Sequence, residues 1–324
     1  MGTPPTQDEV LGYFDSLSNW GRWGDDDLLG TLNLITPEKR RQAASLVEDG
    51  VSVSCSRQIP FPGPMAMGAA NPLIHMVQTG ERYALGDNPG HPLFPGVEML
   101  EWAAEHVAFV FHGQVFTHID GLAHVFYQGK MYNGRPAALV KASEGATVQT
   151  SDVLKDGIMS RGVLLDVARV KGVTTLEPGD HVFPEDLEAA EEAQGVRVEP
   201  GDVLLLRTGY GAQVDAAAAA GEPPPAEHSG YNAACLPWIR ERDVALLGSD
   251  VIQDATPPGD FPKTMLPVHQ VTLVALGLRL IDNGHLERLA EACAERNRWE
   301  FCLTLNPLRL ARGTGSPANP IATF

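Results

Sequence analysis

Apolar and β-branched residues fall along this chain in short runs bounded by glycine, proline and charge. VSVSCSRQI (51–59), HVAFVFHGQVF (106–116), RGVLLDVARV (161–170), DVLLLRTG (202–209), VALLGSDVI (244–252) and WEFCLTLNPLRL (299–310) predict strands. Between them PEKRRQAASLVEDG (37–50), FPEDLEAAEEAQG (183–195) and the stretch from Tyr231 to Arg242 predict helices. The first two of these place proline in the first turn with acids behind it and end on a glycine suited to a helix stop. Strands interleaved with helices predict an α/β architecture rather than an all-β sandwich or a helical bundle. There is no fixed-period repeat and no long low-complexity linker, so residues 1–324 are read as a single domain. Residues 1–50 and the tail 306–324 are expected to pack on it. DAAAAAGEPPPAEHSG (215–230) reads as a helix end followed by a proline-stiffened surface loop, with no domain boundary placed there.

Charge narrows the partners. Lys and Arg total 24 against 41 Asp and Glu, a formal charge of -17 that repels phosphate backbones and anionic membrane surfaces. A small-molecule substrate is expected, with no nucleic acid and no membrane. MGTPPTQDEVLGYF has neither the basic nor the apolar region of a secretion signal, and no apolar run is long enough to span a bilayer, so a cytoplasmic location is expected. Cys55, Cys235, Cys293 and Cys302 stand apart without a CxxC pair, which predicts reduced, buried thiols rather than a zinc knuckle.

The stretch FHGQVFTHIDGLAHVFYQGKMYNG (111–134) holds three of the ten histidines. His118 and Asp120 are two apart, so in an extended segment both leave the same face, and Gln114 and His124 share that parity unless Gly121 turns the backbone first. Convergent imidazole and carboxylate suit Zn²⁺ or Mn²⁺. The same string also fits hydrogen-bonded core or surface histidines, and more ligands are needed. His269, opening an apolar helix in MLPVHQVTLVALG, and Asp282, in LRLIDNGHLERLAEA, are candidates; a helix-start histidine and an N-cap for HLERLAEACAER are the alternatives. GTGSPANP lacks the lysine and following helix of a phosphate loop, and TGYG and ALLGSD lack dinucleotide-type glycine spacing.

QVFTHIDGLAH (114–124) resembles the motif H-x-G-T-H-x-D-x-P-x-H of the metal-dependent cyclase-like hydrolases, the family of bacterial kynurenine formamidase and isatin hydrolase. The resemblance runs nearly end to end, through SNWGRWGDDDLLGTLNLITPEKR, RGVLLDVARVKG, PGDVLLLRTGYG, ALLGSDVIQDATPP and NPLRLARGTGSPANPIATF, in the manner of the longer branch of that family. It implies a swivelling β/β/α fold, with a central mixed sheet or flattened barrel surrounded by helices, and a homodimer or homotetramer. It implies His118 and Asp120 as metal ligands, His124 as proton donor and acceptor, and His269 and Asp282 as the later ligand pair. Gln114 stands where the motif has its first histidine, Phe116 replaces its glycine, Leu122 its proline, and Asp282 the family's glutamate. A glutamine carbonyl is a neutral, weaker donor and an aspartate reaches less far, so one tightly held Zn²⁺ or Mn²⁺ is expected, with a second ion left open.

The implied chemistry is hydrolysis of a small cyclic or acylated aromatic amide, lactam, ester or lactone by metal-activated water, with His124 moving the proton. Ring closure or dehydration of a polyketide-like compound at the same site is one alternative. A non-catalytic metal-binding protein of the same fold is another. Trp20 and Trp23 are candidate walls of the substrate site, a role the resemblance suggests for an N-terminal tryptophan, and they serve equally to pack a loop. His75, Tyr132 and Asp250 are further candidate substrate contacts, though Asp250 suits a turn as well.

Overall fold

Most of the runs read as strands meet in one nine-stranded mixed sheet. A computed structural model describes residues 2–59, 72–87, 93–96, 100–256, 261, 263 and 266–324. At the centre of the sheet four parallel strands lie side by side: Ile158–Asp166, Val203–Arg207, Leu246–Ser249 and Arg279–Asp282. Parallel strands are covered by helices on both faces and therefore read as continuous apolar runs. Val203–Arg207 is buried at all five positions. Beyond Ile158–Asp166 the order continues with Glu300–Leu305, Ile321–Thr323 and Ser52–Ser54, all antiparallel. Beyond Arg279–Asp282 come His118–Asp120 and Gly315–Pro317, also antiparallel.

Side chains alternate across this sheet into two cores. Leu165, Leu204, Leu206, Leu247 and Leu280 face the helices Pro184–Gln194 and Cys235–Glu241, where Leu187 and Ile239 meet them. Leu164, Leu205, Leu246 and Ile281 face the helix Glu287–Arg296 through Leu289 and Cys293. The result is the mixed α/β arrangement that the pattern predicts, a curled sheet among helices.

Two compact units are present: Met1–Arg57 with Phe111–Phe324, and Gln58–Val110. Residues 1–50 and 306–324 both belong to the first, and the tail goes further than packing on it, since it supplies two strands of the sheet. HVAFVFHGQVF is not one strand. Ala104–Ala108 pairs with Leu73–Gln78 inside the smaller unit, and residues 112–116 are bends. Gly113 at φ 118 takes a conformation that side-chain-bearing residues avoid, which breaks the extended run there. Asp282 is not an N-cap, because the following helix begins five residues later at Glu287.

All four cysteines are free and buried, and burial pushes the Cys55 thiol up to about 12. Among the described residues no helix is long and apolar enough to cross a membrane.

Candidate metal centre

His118 and Asp120 end a three-residue strand clasped between Arg279–Asp282 and Gly315–Pro317. Ile119 points into the core, and the pleat sends its two neighbours to the opposite face. Register then places Asp282 directly across from His118. His269 arrives on the helical turn Pro267–Gln270. The Asp254 carboxylate accepts the backbone N–H groups of Val268 (2.7 Å) and His269 (3.1 Å), and lies 2.8 Å from His269 Nδ1. With its Nδ1 proton given to Asp254, His269 presents Nε2 at 3.0 Å from Asp282 Oδ2 and 3.7 Å from Asp120 Oδ2. His118 follows the same rule: Nδ1 donates to the Phe116 carbonyl (2.8 Å), and Nε2 lies 3.4 Å from Asp120 Oδ1 and 3.6 Å from Asp282 Oδ2. Gln253, next to Asp254, donates from Nε2 to Asp282 Oδ1 at 3.0 Å.

After Asp120 the chain turns, with the His124 N–H donating to the Gly121 carbonyl. Glycine is needed there because a Cβ would fall 2.6 Å from the Thr314 carbonyl oxygen. The turn carries His124 back toward the strand, leaving Nε2 3.8 Å from Asp120 Oδ1 with 29% of the side chain exposed.

His112 was not among the residues expected at the site. Its ring stacks on His124 at 3.7 Å between centroids and 6° between planes, its Nδ1 is 2.9 Å from Asp120 Oδ1, and its Nε2 is 3.1 Å from Thr314 Oγ1. Gln114 is exposed in the bend, where its backbone carbonyl accepts from Arg57. The parity that would align residue 114 with 118 holds only for an extended chain, and residues 114–116 are bends. The signal for His112 was a third histidine in the same stretch, six residues before His118.

Asp120 tests whether a cation belongs here. It is fully buried, and imidazole nitrogens of His112, His118, His124 and His269 lie 2.9–3.8 Å from its oxygens. Yet neither oxygen receives a well-directed hydrogen bond. Buried carboxylates are normally satisfied. A carboxylate ringed by imidazoles yet bonded to none of them suits a ligand aimed at a shared ion. His118, Asp120 and Asp282 offer atoms within 4.8 Å of one another, as do His112, Asp120 and His124. The donor set is nitrogen and oxygen without thiolate, which fits a divalent ion such as Zn²⁺ or Mn²⁺.

The fold recurs in known proteins. The family model named Cyclase matches residues 51–253. The chain belongs to the cyclase family. A solved structure described as a novel cyclase is similar to this one at 33% identity and a TM-score of 0.83, covering 95% of this chain and 100% of that one. Isatin hydrolase A from Ralstonia solanacearum is similar in fold at 19% identity and a TM-score of 0.55, over 84% of this chain and 91% of that one. A chain from Bacillus stearothermophilus described as a predicted metal-dependent hydrolase matches at 13% identity and a TM-score of 0.50, over 84% and 97%. No curated protein sequence matches.

In this cyclase-family chain the other candidate contacts have different surroundings. The Asp250 carboxylate accepts from the backbone N–H groups of Thr208, Gly209 and Tyr210 and from the Thr208 hydroxyl, so it ties the start of the helix Tyr210–Ala220 to the sheet and has no capacity left for substrate. Tyr132 is fully buried and donates its hydroxyl to Asp27, which makes it a core residue rather than a pocket wall. Trp20 donates from Nε1 to the Val274 carbonyl (2.6 Å) and packs on Gly134, while Trp23 lies under the Arg22 guanidinium. None of these contacts is with a ligand candidate. His75 is in the smaller unit, paired across its two-stranded sheet with His106.

Electrostatics separate the histidines. Burial alone would lower His118, but the close negative charge of Asp120, with Asp282, outweighs it and raises the imidazole to about 9. His269 is likewise raised by Asp282 and Asp254 against the cost of burial. His124 is lowered, burial being stronger than the pull of Asp120, and stands neutral at pH 7. Asp120 is held well below the usual range, the neighbouring imidazoles overcoming its burial.

Because His118 is raised from 6.5 to about 9, its ion pairs stabilise the metal-free fold fully below about pH 6.5, and that contribution disappears as pH climbs through 9. A ligating imidazole must be neutral, so loading Zn²⁺ or Mn²⁺ at pH 7 should release at least one proton per ion, fading well above pH 9. Calorimetric titration in buffers of differing ionisation enthalpy measures this. Ion uptake at pH 7 with no proton released would count against His118 as a ligand.

Proposed function

We propose that this protein is a metal-dependent hydrolase acting on a small cyclic or acylated aromatic amide, lactam, ester or lactone. The observation that carries the reading is the buried, unbonded carboxylate of Asp120 ringed by imidazoles. His118, Asp120, His269 and Asp282 would hold the ion, with His112 in place of Gln114 beside Asp120. Once bound, a divalent cation supplies Lewis acidity, lowering the pKa of water and polarising a carbonyl. His124, neutral and partly open to solvent, would take the proton of the attacking water at Nε2 and return it to the leaving nitrogen or oxygen. Asp254 and Gln253 would keep His269 and Asp282 aimed while this happens.

The family description favours a second reading, ring closure at the same residues. The two differ in whether water is the nucleophile. Metal-loaded protein incubated with isatin, formylkynurenine and a panel of lactones separates them: ring opening or deacylation of any at an enzymatic rate supports hydrolysis. Stoichiometric metal with no turnover across the panel would leave a binding protein instead. Elemental analysis of protein purified without added metal names the ion.

We also propose self-association as a dimer or tetramer, supported by the exposed apolar side chains of the smaller unit, among them Leu73, Val77, Leu85 and Val107. A monomeric mass in solution scattering would remove this. The buried, reduced cysteines support a cytoplasmic setting, tested by fractionation of the cells that make the protein.

A further inference from the structure

Between His112 and His118 the backbone is neither helix nor strand. Such a segment lacks ladder partners, so its carbonyls must be satisfied by other groups. Two buried side chains take four in succession. Asn283 Nδ2 donates to the carbonyls of Gly113 (2.6 Å) and Phe116 (3.1 Å), and Arg57 Nη1 donates to the two between them, Gln114 (3.1 Å) and Val115 (3.3 Å).

The two donors are themselves tied together. The Arg57 N–H donates to Thr117 Oγ1 (2.8 Å), and that hydroxyl donates to the Asn283 carbonyl (2.6 Å). Arg57 Nη2 reaches the Asp250 carbonyl (2.5 Å), and the Asn283 N–H donates to the Val251 carbonyl (2.9 Å). Among the described residues no carboxylate forms an ion pair with Arg57; its guanidinium serves three carbonyl dipoles and lies over the Tyr210 ring, 5.4 Å from its centroid. Asn283 stands at φ 55, a left-handed conformation that asparagine tolerates better than most residues, and it directly follows Asp282.

We propose that Arg57 and Asn283 form a latch that sets His112 and His118 in place before any ion binds. They are positioning residues, acting through the segment they hold. The latch joins the residue after a late ligand to the stretch before an early one, fixing the separation of groups that lie more than 160 residues apart in sequence. An ion then meets an assembled site and need not order the segment itself. The inference rests on reading His118 as a ligand.

Asn283→Gly keeps the left-handed backbone and removes the donor, and Arg57→Lys keeps the charge and loses the fork. Ser160→Ala, which deletes a buried hydroxyl bonded to the Gly201 carbonyl outside the site, is the comparator for stability alone. For each, Zn²⁺ and Mn²⁺ affinity is measured by chelator competition, and the melting of the metal-free protein is recorded. Asn283→Gly and Arg57→Lys should each weaken binding about 10–100-fold, the range for groups supporting metal ligands, with Ser160→Ala staying within about twofold of wild type.

Wild-type affinity in both latch variants overturns the proposal, as does a comparator that loses affinity in step with its melting. If the latch variants do not fold, hydrogen exchange of the wild type decides. Residues 111–118 equally protected with and without the ion support the latch, and protection gained only on loading overturns it. A wild type that binds neither ion removes the metal reading beneath the proposal, which is distinct from a wild type that binds and variants that match it.

Discussion

Replacing His124 with alanine should lower turnover by about 10²–10⁴-fold, the contribution of a positioned proton-transfer group, while the protein keeps its ion. Two features set His124 apart from His118 and His269. Its Nε2 is 3.8 Å from Asp120 Oδ1, whereas His118 and His269 reach both Asp120 and Asp282. It is also lowered by burial, while those two are raised, so at pH 7 it is the imidazole prepared to accept a proton. Rate and metal stoichiometry on the same preparation give the check. Loss of the ion with unchanged activity per ion remaining would make His124 a ligand. The stack with His112 gives a second expectation, since removing one ring leaves its partner's face uncovered and costs stability on the order of 1 kcal/mol.

Asp120→Asn should act at the level of the ion. The carboxylate is the group common to both ligand clusters, and asparagine preserves its shape while removing the charge. Breaking a buried charge pair from one side costs about 3–5 kcal/mol, which for ion binding is about 10²–10⁴-fold in affinity. Activity should fall with occupancy and return in part at high metal concentration. A readout independent of turnover follows from electrostatics. His118 owes its raised pKa largely to Asp120, so in Asp120→Asn it should fall back toward 6.5 and proton release on loading at pH 7 should shrink. Asp120→Asn binding Zn²⁺ and Mn²⁺ as tightly as wild type would remove Asp120 from the centre and the proposed function with it.

The shared face of His118 and Asp120 was legible because the pleat is local. His118 and Asp120 are two apart in a segment that is extended, and stereochemistry alone then sends them to one face. The strands Val203–Arg207 and Leu246–Ser249 were legible for a similar reason, since a strand buried on both faces must be apolar throughout. His269 and Asp282 needed the family resemblance. A helix-start histidine and an aspartate after an apolar run occur in many chains, and Asp282 faces the site only because Arg279–Asp282 pairs with His118–Asp120 in one register.

Two causes separate the expected contacts from the observed ones. Gln114 was aligned with His118 on the assumption of an unbroken strand; the bends at 112–116 end that alignment, and it is His112 that lies beside Asp120. Asp250 and Tyr132 looked available because polar groups near a motif have no visible partner in sequence. Their partners are backbone N–H groups of residues 208–210 and the Asp27 carboxylate, about 40 and 105 residues away.

By itself, then, the chain's sequence determined what neighbouring residues settle between themselves: the alternation of strands and helices and the shared face of His118 and Asp120. Tertiary structure decided which side chains meet around Asp120 and which backbone groups each buried polar side chain serves, and it drew the tail into the sheet as two strands. The physical reason is range. Backbone stereochemistry acts over a few residues, whereas a buried carboxylate or carbonyl takes whichever donor the packing of distant segments brings within hydrogen-bond reach.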